Sequence, residues 1–218
     1  MTTLLRELQR RLGGIYDVDA GCDVGEFVTS DRDLLPRDVA ESGTDEHVMV
    51  ALEPDALAMS VFIDRRVLER LAAADPLQRL DDRNLADFWT ALEGVSHFLC
   101  IAWNARHDRD VSVLELEMQA DIDKFVLSAD LLRRQGTPRV PSALHDLLFR
   151  RVRVDERLAR HRAPLYRAAT HHAARFCRDL EGRLRQAAER VQDSVLLPQL
   201  RRFYRLADRG KLDYIRAI

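Results

Sequence analysis

The chain has 218 residues, 46% hydrophobic and 32% charged, with a formal net charge of −2. That balance belongs to a folded protein rather than a disordered one. No apolar run reaches the roughly 18–20 residues of a membrane span, and the N-terminus lacks a basic-then-apolar leader, so the expected location is cytoplasmic.

In chain order, Leu4, Leu5, Leu8 and Leu12 recur at helical spacing and predict a short amphipathic helix over 3–12, ended by Gly13-Gly14. Residues 15–45 read as irregular, with room for one short element in "VGEFVTSDRDLL". Val48, Val50 and Leu52 alternate, a turn signal follows at Glu53-Pro54-Asp55, and Met59, Val61 and Ile63 alternate again. This predicts a β-hairpin. Because a lone hairpin is marginal, it requires the helices, a strand from residues 15–28, or a second subunit. Asp64 is placed to cap a helix over "RRVLERLAAA", and Asp81 or Asp82 the next, roughly 83–105. The helix from about 113 to 135 begins with a Ser112/Glu115 capping box and closes at Gly136. A short helix capped by Ser142, a long one over about 164–191, and a last one from Pro198 complete the pattern.

The sum is an α+β chain, mainly α: a bundle of two antiparallel helix hairpins with a small N-terminal β-hairpin part. It is read as a single domain over 1–218, with a strand-bearing part at 1–63 and a helical part at 64–218. Leu92, Val95, Phe98, Leu99, Met118, Ile122, Phe125, Phe176 and Leu180 are the expected core. Cys22, Cys100 and Cys177 are far apart and form no C-x-x-C pair, which argues against a disulfide framework or a structural zinc site.

Charge is distributed unevenly. Residues 136–218 hold 19 basic and 9 acidic residues, net +10, against 15 and 27, net −12, in residues 1–135. Such polarity serves either an anionic partner or pairing of the two parts, within the chain or between two copies. The arginines from Arg150, Arg151, Arg153, Arg157, Arg160, Arg162 and Arg167 to Arg175, Arg178, Arg183, Arg185 and Arg190 do not collect into one helical stripe. Aromatic residues for stacking bases are scarce among them.

Four polar positions stand out on predicted helices. Glu93 and His97, four apart in "ALEGVSHFLCIAW", share a face. They can hydrogen-bond to each other or offer two ligands to a metal. The Glu-x-x-His repeat of di-iron bundles and the two-histidine zinc protease pattern are both absent. Gly94 beside them signals the close approach of another helix or a ligand. Gln119 and Asp123 continue one edge of the next helix, while Glu117, Asp121 and Lys124 lie on the other, expected to be solvated. The capping box accounts for Glu115. His172 falls on the apolar face of the long helix and is also a candidate. "RAATHH", with Arg167 and His172 separated by four residues, resembles the Arg-x4-6-His element of HEPN-type ribonucleases, which implies a helical, often dimeric, metal-independent enzyme. The resemblance covers six residues, and Ala168 stands where that family carries a polar residue, so no family is assigned from it.

No phosphate loop, nucleophile elbow or catalytic cysteine signature is present. The leading expectation is therefore a helical interaction or regulatory protein, a partner subunit acting through charged surfaces, with self-association as a homodimer one form of it. The first alternative is a metal-assisted hydrolase or nuclease using Glu93, His97, Gln119, Asp123 and His172, with Glu93 and His97 as metal ligands. The second is nucleic-acid binding by the arginine-rich helices. No cofactor can be named from the sequence.

Overall fold

The structure, a computed structural model, describes residues 2–53, 56–136, 142–149, 163–187 and 196–218. The hairpin turn at 54–55, the side chain of Ser142, and Arg150, Arg151, Arg153, Arg157, Arg160, Arg162 and Arg190 lie outside the described residues. Among those described, helices dominate and one three-stranded sheet accompanies them, the mainly-α α+β class expected. No described helix is long and apolar enough to cross a membrane. The chain forms two compact units, Met1–Arg11 with Asp19–Asp110, and Leu12–Val18 with Val111–Ile218.

Helix α1, Thr2–Tyr16, contributes to both. It runs through Gly13-Gly14 rather than stopping there. The stop comes four residues later, where Asp17 takes φ 56° and the Val18 N–H returns to the Gly13 carbonyl at 3.1 Å. This is a Schellman-type end with aspartate, a residue that tolerates the left-handed conformation, in the usual glycine place. Gly13 matters for a different reason: a Cβ there would meet the Val18 carbonyl oxygen at 2.9 Å.

In the first unit, β1 (Val28–Thr29), α2 (Arg37–Ser42), β2 (Glu46–Glu53), β3 (Ala56–Ile63), α3 (Arg65–Ala73) and α4 (Leu85–Ala105) follow. The strands order β1-β3-β2, with β2 antiparallel to β3 from Glu46↔Ile63 to Glu53↔Ala56 and β1 parallel to β3 at Val28↔Val61. The predicted hairpin is thus present and is completed by a short N-terminal strand. Helices α3 and α4 pack together, and α4 lies on β2 and β3. Val61, Phe62, Ile63, Phe88, Leu92, Val95 and Phe98 are sealed from solvent, each such burial stabilising by about 1.5–3 kcal/mol. Asp64 caps α3 through the Arg66 N–H at 2.8 Å, as the sequence predicts. Helix α4 starts instead at Asn84, without a side-chain cap. Asp81 is held in the preceding turn, where its carboxylate accepts from the Arg83 N–H and its own N–H donates to Asn84 Oδ1.

The second unit contains α5 (Val113–Arg134), α6 (Ser142–Phe149), α7 (Ala163–Ala187), α8 (Leu197–Tyr204) and α9 (Asp208–Ala217). Helix α5 packs on α6 and α7, and α7 on α9. Phe176 of α7 stacks on Phe203 of α8 with ring centroids 4.2 Å apart. Gly136 (φ 95°) closes α5 as predicted. The single last helix expected from Pro198 is two helices broken at 205–207, because the Leu206 N–H turns back to the Phe203 carbonyl at 3.1 Å. All nine residues expected in the core are buried.

Candidate functional site

The sequence candidates fall into two groups. In the first unit, α4 carries Glu93 and His97, with a carboxylate oxygen of the former and a ring nitrogen of the latter within 4.8 Å of each other. Gly94 lies between them in the helix, and the element that exploits it is the sheet rather than a helix. A Cβ at Gly94 would meet Val61 Cγ1 at 3.0 Å and Glu46 Cγ at 3.2 Å. The gap lets β2 bring Glu46 Oε1 to 3.7 Å from His97 Nδ1, a carboxylate–imidazole contact longer than a hydrogen bond. Glu46 Oε1 is buried and accepts no hydrogen bond. Sequence reading missed Glu46, because its pairing with α4 is set by sheet packing and has no local signature.

In the second unit, α5 carries Gln119 and Asp123, exposed by 0% and 1%. They belong to a row that is closed at both ends by residues far away in sequence. Lys211 of α9 donates to Gln119 Oε1 at 3.1 Å. Gln119 Nε2 donates to Asp123 Oδ1 at 2.8 Å, and the Tyr16 hydroxyl donates to the same oxygen. Burial, then the Asp123 charge, pushes the Tyr16 phenol well above its ordinary value of about 10, so the hydroxyl remains the donor. Tyr16 also stacks on Tyr204, with centroids 4.4 Å apart.

Glu115 belongs to the same row, which corrects the capping-box reading. Ser112 Oγ does accept the Glu115 N–H at 3.1 Å, but the Glu115 carboxylate pairs with Lys211 at 2.8 Å instead of folding back on the helix start. The Lys211 ammonium also lies over the Phe203 and Tyr204 rings at 5.6 and 5.4 Å, where ring quadrupoles favour a cation. Asp121 and Lys124, expected to be solvated, are mostly buried as well, and Asp121 accepts from Thr170 Oγ1 of α7 at 3.0 Å.

This row is chemically complete but sealed. A general acid, base or metal ligand must be reached by a reacting molecule, and Lys211, Glu115, Gln119, Asp123 and Tyr16 are buried throughout. The groove of about 470 Å³ in the first unit is lined by Leu4, Arg6, Arg10, Leu68 and Leu71 among others, with no candidate in its wall. His172 lies half-buried on α7, its pKa lowered by burial and then by His171, Arg216 and Arg175. The same helix holds Arg183 and Arg185 to its own Asp179 and Glu181, four residues back, while Arg205 reaches Asp17. Cys177 is fully buried, its thiol pKa raised by burial and then by Asp121 and Asp123, the unreactive state expected.

Among the described residues, the sheet carries backbone groups open to a further strand. The Asp64 N–H donates to the Asp45 carbonyl at 2.8 Å, which fixes the phase of the hairpin. Odd-numbered β2 residues therefore bond toward β3, and Glu46, Val48, Val50 and Leu52 point their N–H and C=O groups away. The Glu46 carbonyl is occupied by Thr44 Oγ1 at 2.7 Å. Val48 and Val50 have no described partner for theirs, and Val50 is 47% exposed.

No protein-family model matches the chain, and no curated protein and no solved structure matches it.

Proposed function

We propose that the chain is an interaction protein, a partner subunit that works by docking rather than by turning over a substrate. The observation that carries this reading is the outer edge of β2. It is eight residues long, its central residues carry no charge, proline or bulge, and the outward amide and carbonyl groups of Val48 and Val50 have no partner among the described residues. Natural proteins blunt such edges with lysine, proline, bulges or a covering element, because an open edge recruits other chains. The buried state of Gln119 and Asp123 supports the same reading by leaving them a structural task. The test is a photo-crosslinking side chain at position 50, with Val113, 48% exposed on α5, as the control position. A partner trapped from position 50, identified, and bound again when both proteins are pure is the expected result. Binding unchanged by Val50→Pro overturns the assignment to this edge.

A second reading, a divalent cation held by Glu93 and His97, is favoured by one observation. A carboxylate and an imidazole within 4.8 Å are of the donor types that zinc and related ions select. In that reading Glu46, 3.7 Å from His97, would supply further negative charge.

A further inference from the structure

We propose that the occupant of the β2 edge is a second copy of this chain, its β2 running antiparallel to the first about a two-fold axis through Val50. This rests on the docking reading above and names its partner. The hydrogen-bond phase sets the geometry. Outward-facing residues must meet outward-facing residues, so even-numbered positions pair with even-numbered ones. A two-fold through Val50 makes Val50 exchange both bonds with its counterpart and sets Val48 opposite Leu52 in each direction. Six backbone hydrogen bonds result, in a seam seven residues long, about 24 Å at roughly 3.4 Å per residue.

The neighbouring register, with its axis at Met49, is also in phase but is poorer. It needs the Glu46 carbonyl as a ladder acceptor, and Thr44 Oγ1 already holds that oxygen. The register through Val50 leaves that oxygen alone, and its centre is uncharged. Self-pairing suits the edge for the same reason: a charged centre would meet its own like charges across the axis, and this one has none. Closed two-fold pairing is also the commonest way a chain satisfies a single open patch. The product is a six-stranded sheet in the order β1-β3-β2-β2-β3-β1, the edges of which are the two-residue β1 strands.

A seam of seven residues a side falls short of the roughly 800 Å² per partner of a standard stable interface. The dimer therefore forms and dissociates with concentration instead of being permanent.

The experiment uses the full chain in sedimentation velocity across a hundredfold concentration range, together with cysteine crosslinking in a Cys22→Ser background. The expected result is a shift from monomer to dimer with concentration. Val50→Pro and Val50→Lys should remain monomeric with unchanged circular dichroism, since the Val50 N–H faces away from β3 and the hairpin ladder does not need it. Val50→Cys should oxidise to a covalent dimer, because directly paired Cα atoms about 5.5 Å apart lie within disulfide reach. Met49→Cys, whose counterpart sits one step off the axis, should crosslink far less. A wild-type monomer at every concentration with no Val50→Cys crosslink overturns self-pairing, and so does a dimer that survives Val50→Pro. If the chain is monomeric but position 50 still traps a different protein that Val50→Pro releases, self-pairing fails and the docking reading stands. If position 50 traps nothing, both fail.

Discussion

Lys211 Nζ lies 2.8 Å from Glu115 Oε1, and both residues are buried, so α9 is fastened to the start of α5 by a charge pair closed off from water. Taking either charge out of water alone costs several kcal/mol. The cost is offset here by the carboxylate, the Gln119 amide oxygen and two aromatic faces arranged around one ammonium. A compact ammonium suits this closed space better than the planar fork of an arginine, in a chain where only Lys124 and Lys211 are lysines.

Lys211→Met strands the Glu115 carboxylate and should destabilise by about 3–5 kcal/mol. Lys211→Met with Glu115→Leu should lose less than the sum of the two single changes. Urea denaturation of the four proteins measures both. Additivity would show that the two residues are not coupled.

Tyr16→Phe removes the donor to Asp123 and should cost about 1–3 kcal/mol. The raised phenol also sets a pH limit. Above its ordinary value of about 10 the unfolded chain releases this proton and the folded chain retains it, so wild-type stability falls as pH rises through that range. Tyr16→Phe should flatten this alkaline decline, followed by thermal unfolding from pH 8 to 11.

His172 gives the acid-side counterpart. Its folded pKa lies below the ordinary 6.5, so below that pH the unfolded chain takes up a proton the folded chain resists. Stability falls on going from pH 7.5 to 5.5, and His172→Gln should reduce that slope while leaving the pH 7.5 midpoint nearly unchanged.

Two glycine substitutions should move stability in opposite directions. Gly182 on α7 has nothing within 4 Å of an added Cβ, so Gly182→Ala should stabilise by up to about 1 kcal/mol through helix propensity. Gly94→Ala would press on Val61 and Glu46 and should lose about 1–3 kcal/mol to overpacking. Melting temperatures of the two variants are the measurement.

At Glu93, His97 and Glu46 the docking reading expects a structural contact. His97→Ala should lower stability by about 1–3 kcal/mol, and a chelator should leave the wild-type melting temperature unchanged. A chelator-induced fall, reversed by zinc and absent in Glu93→Gln, would support the cation reading instead.

Periodicity made much of this fold legible. The hairpin from Val48 to Ile63, the Asp64 and Ser112 caps and the core faces of α4 and α5 all follow from local spacing. Interactions that join distant segments were not legible. Nothing near Glu115 announces Lys211, nothing near Glu93 announces Glu46, and Tyr16 reads as part of an irregular segment until Asp123 arrives against it. The helix stop at Gly13-Gly14 was misplaced for a related reason. Glycine permits a helix end but does not impose one, and the return of Val18 to the Gly13 carbonyl decides the point. Of the candidate residues, spacing identified Gln119 and Asp123 as unusual without showing that they are sealed in.

The seven residues Leu12–Val18 belong with a unit whose remaining chain begins at Val111. During synthesis Tyr16 emerges 107 residues ahead of Asp123. At about 5–20 residues per second it waits about 5–20 s for its partner. Throughout that interval the back of α1 presents Leu12, Ile15 and Tyr16, apolar groups destined for full burial, to whatever surrounds the ribosome. A stretch of nascent chain that must stay uncommitted for seconds is a natural holding point for a chaperone. Slowing translation between Asp19 and Asp110 should therefore lower the yield of folded protein even though no residue of the finished molecule has changed.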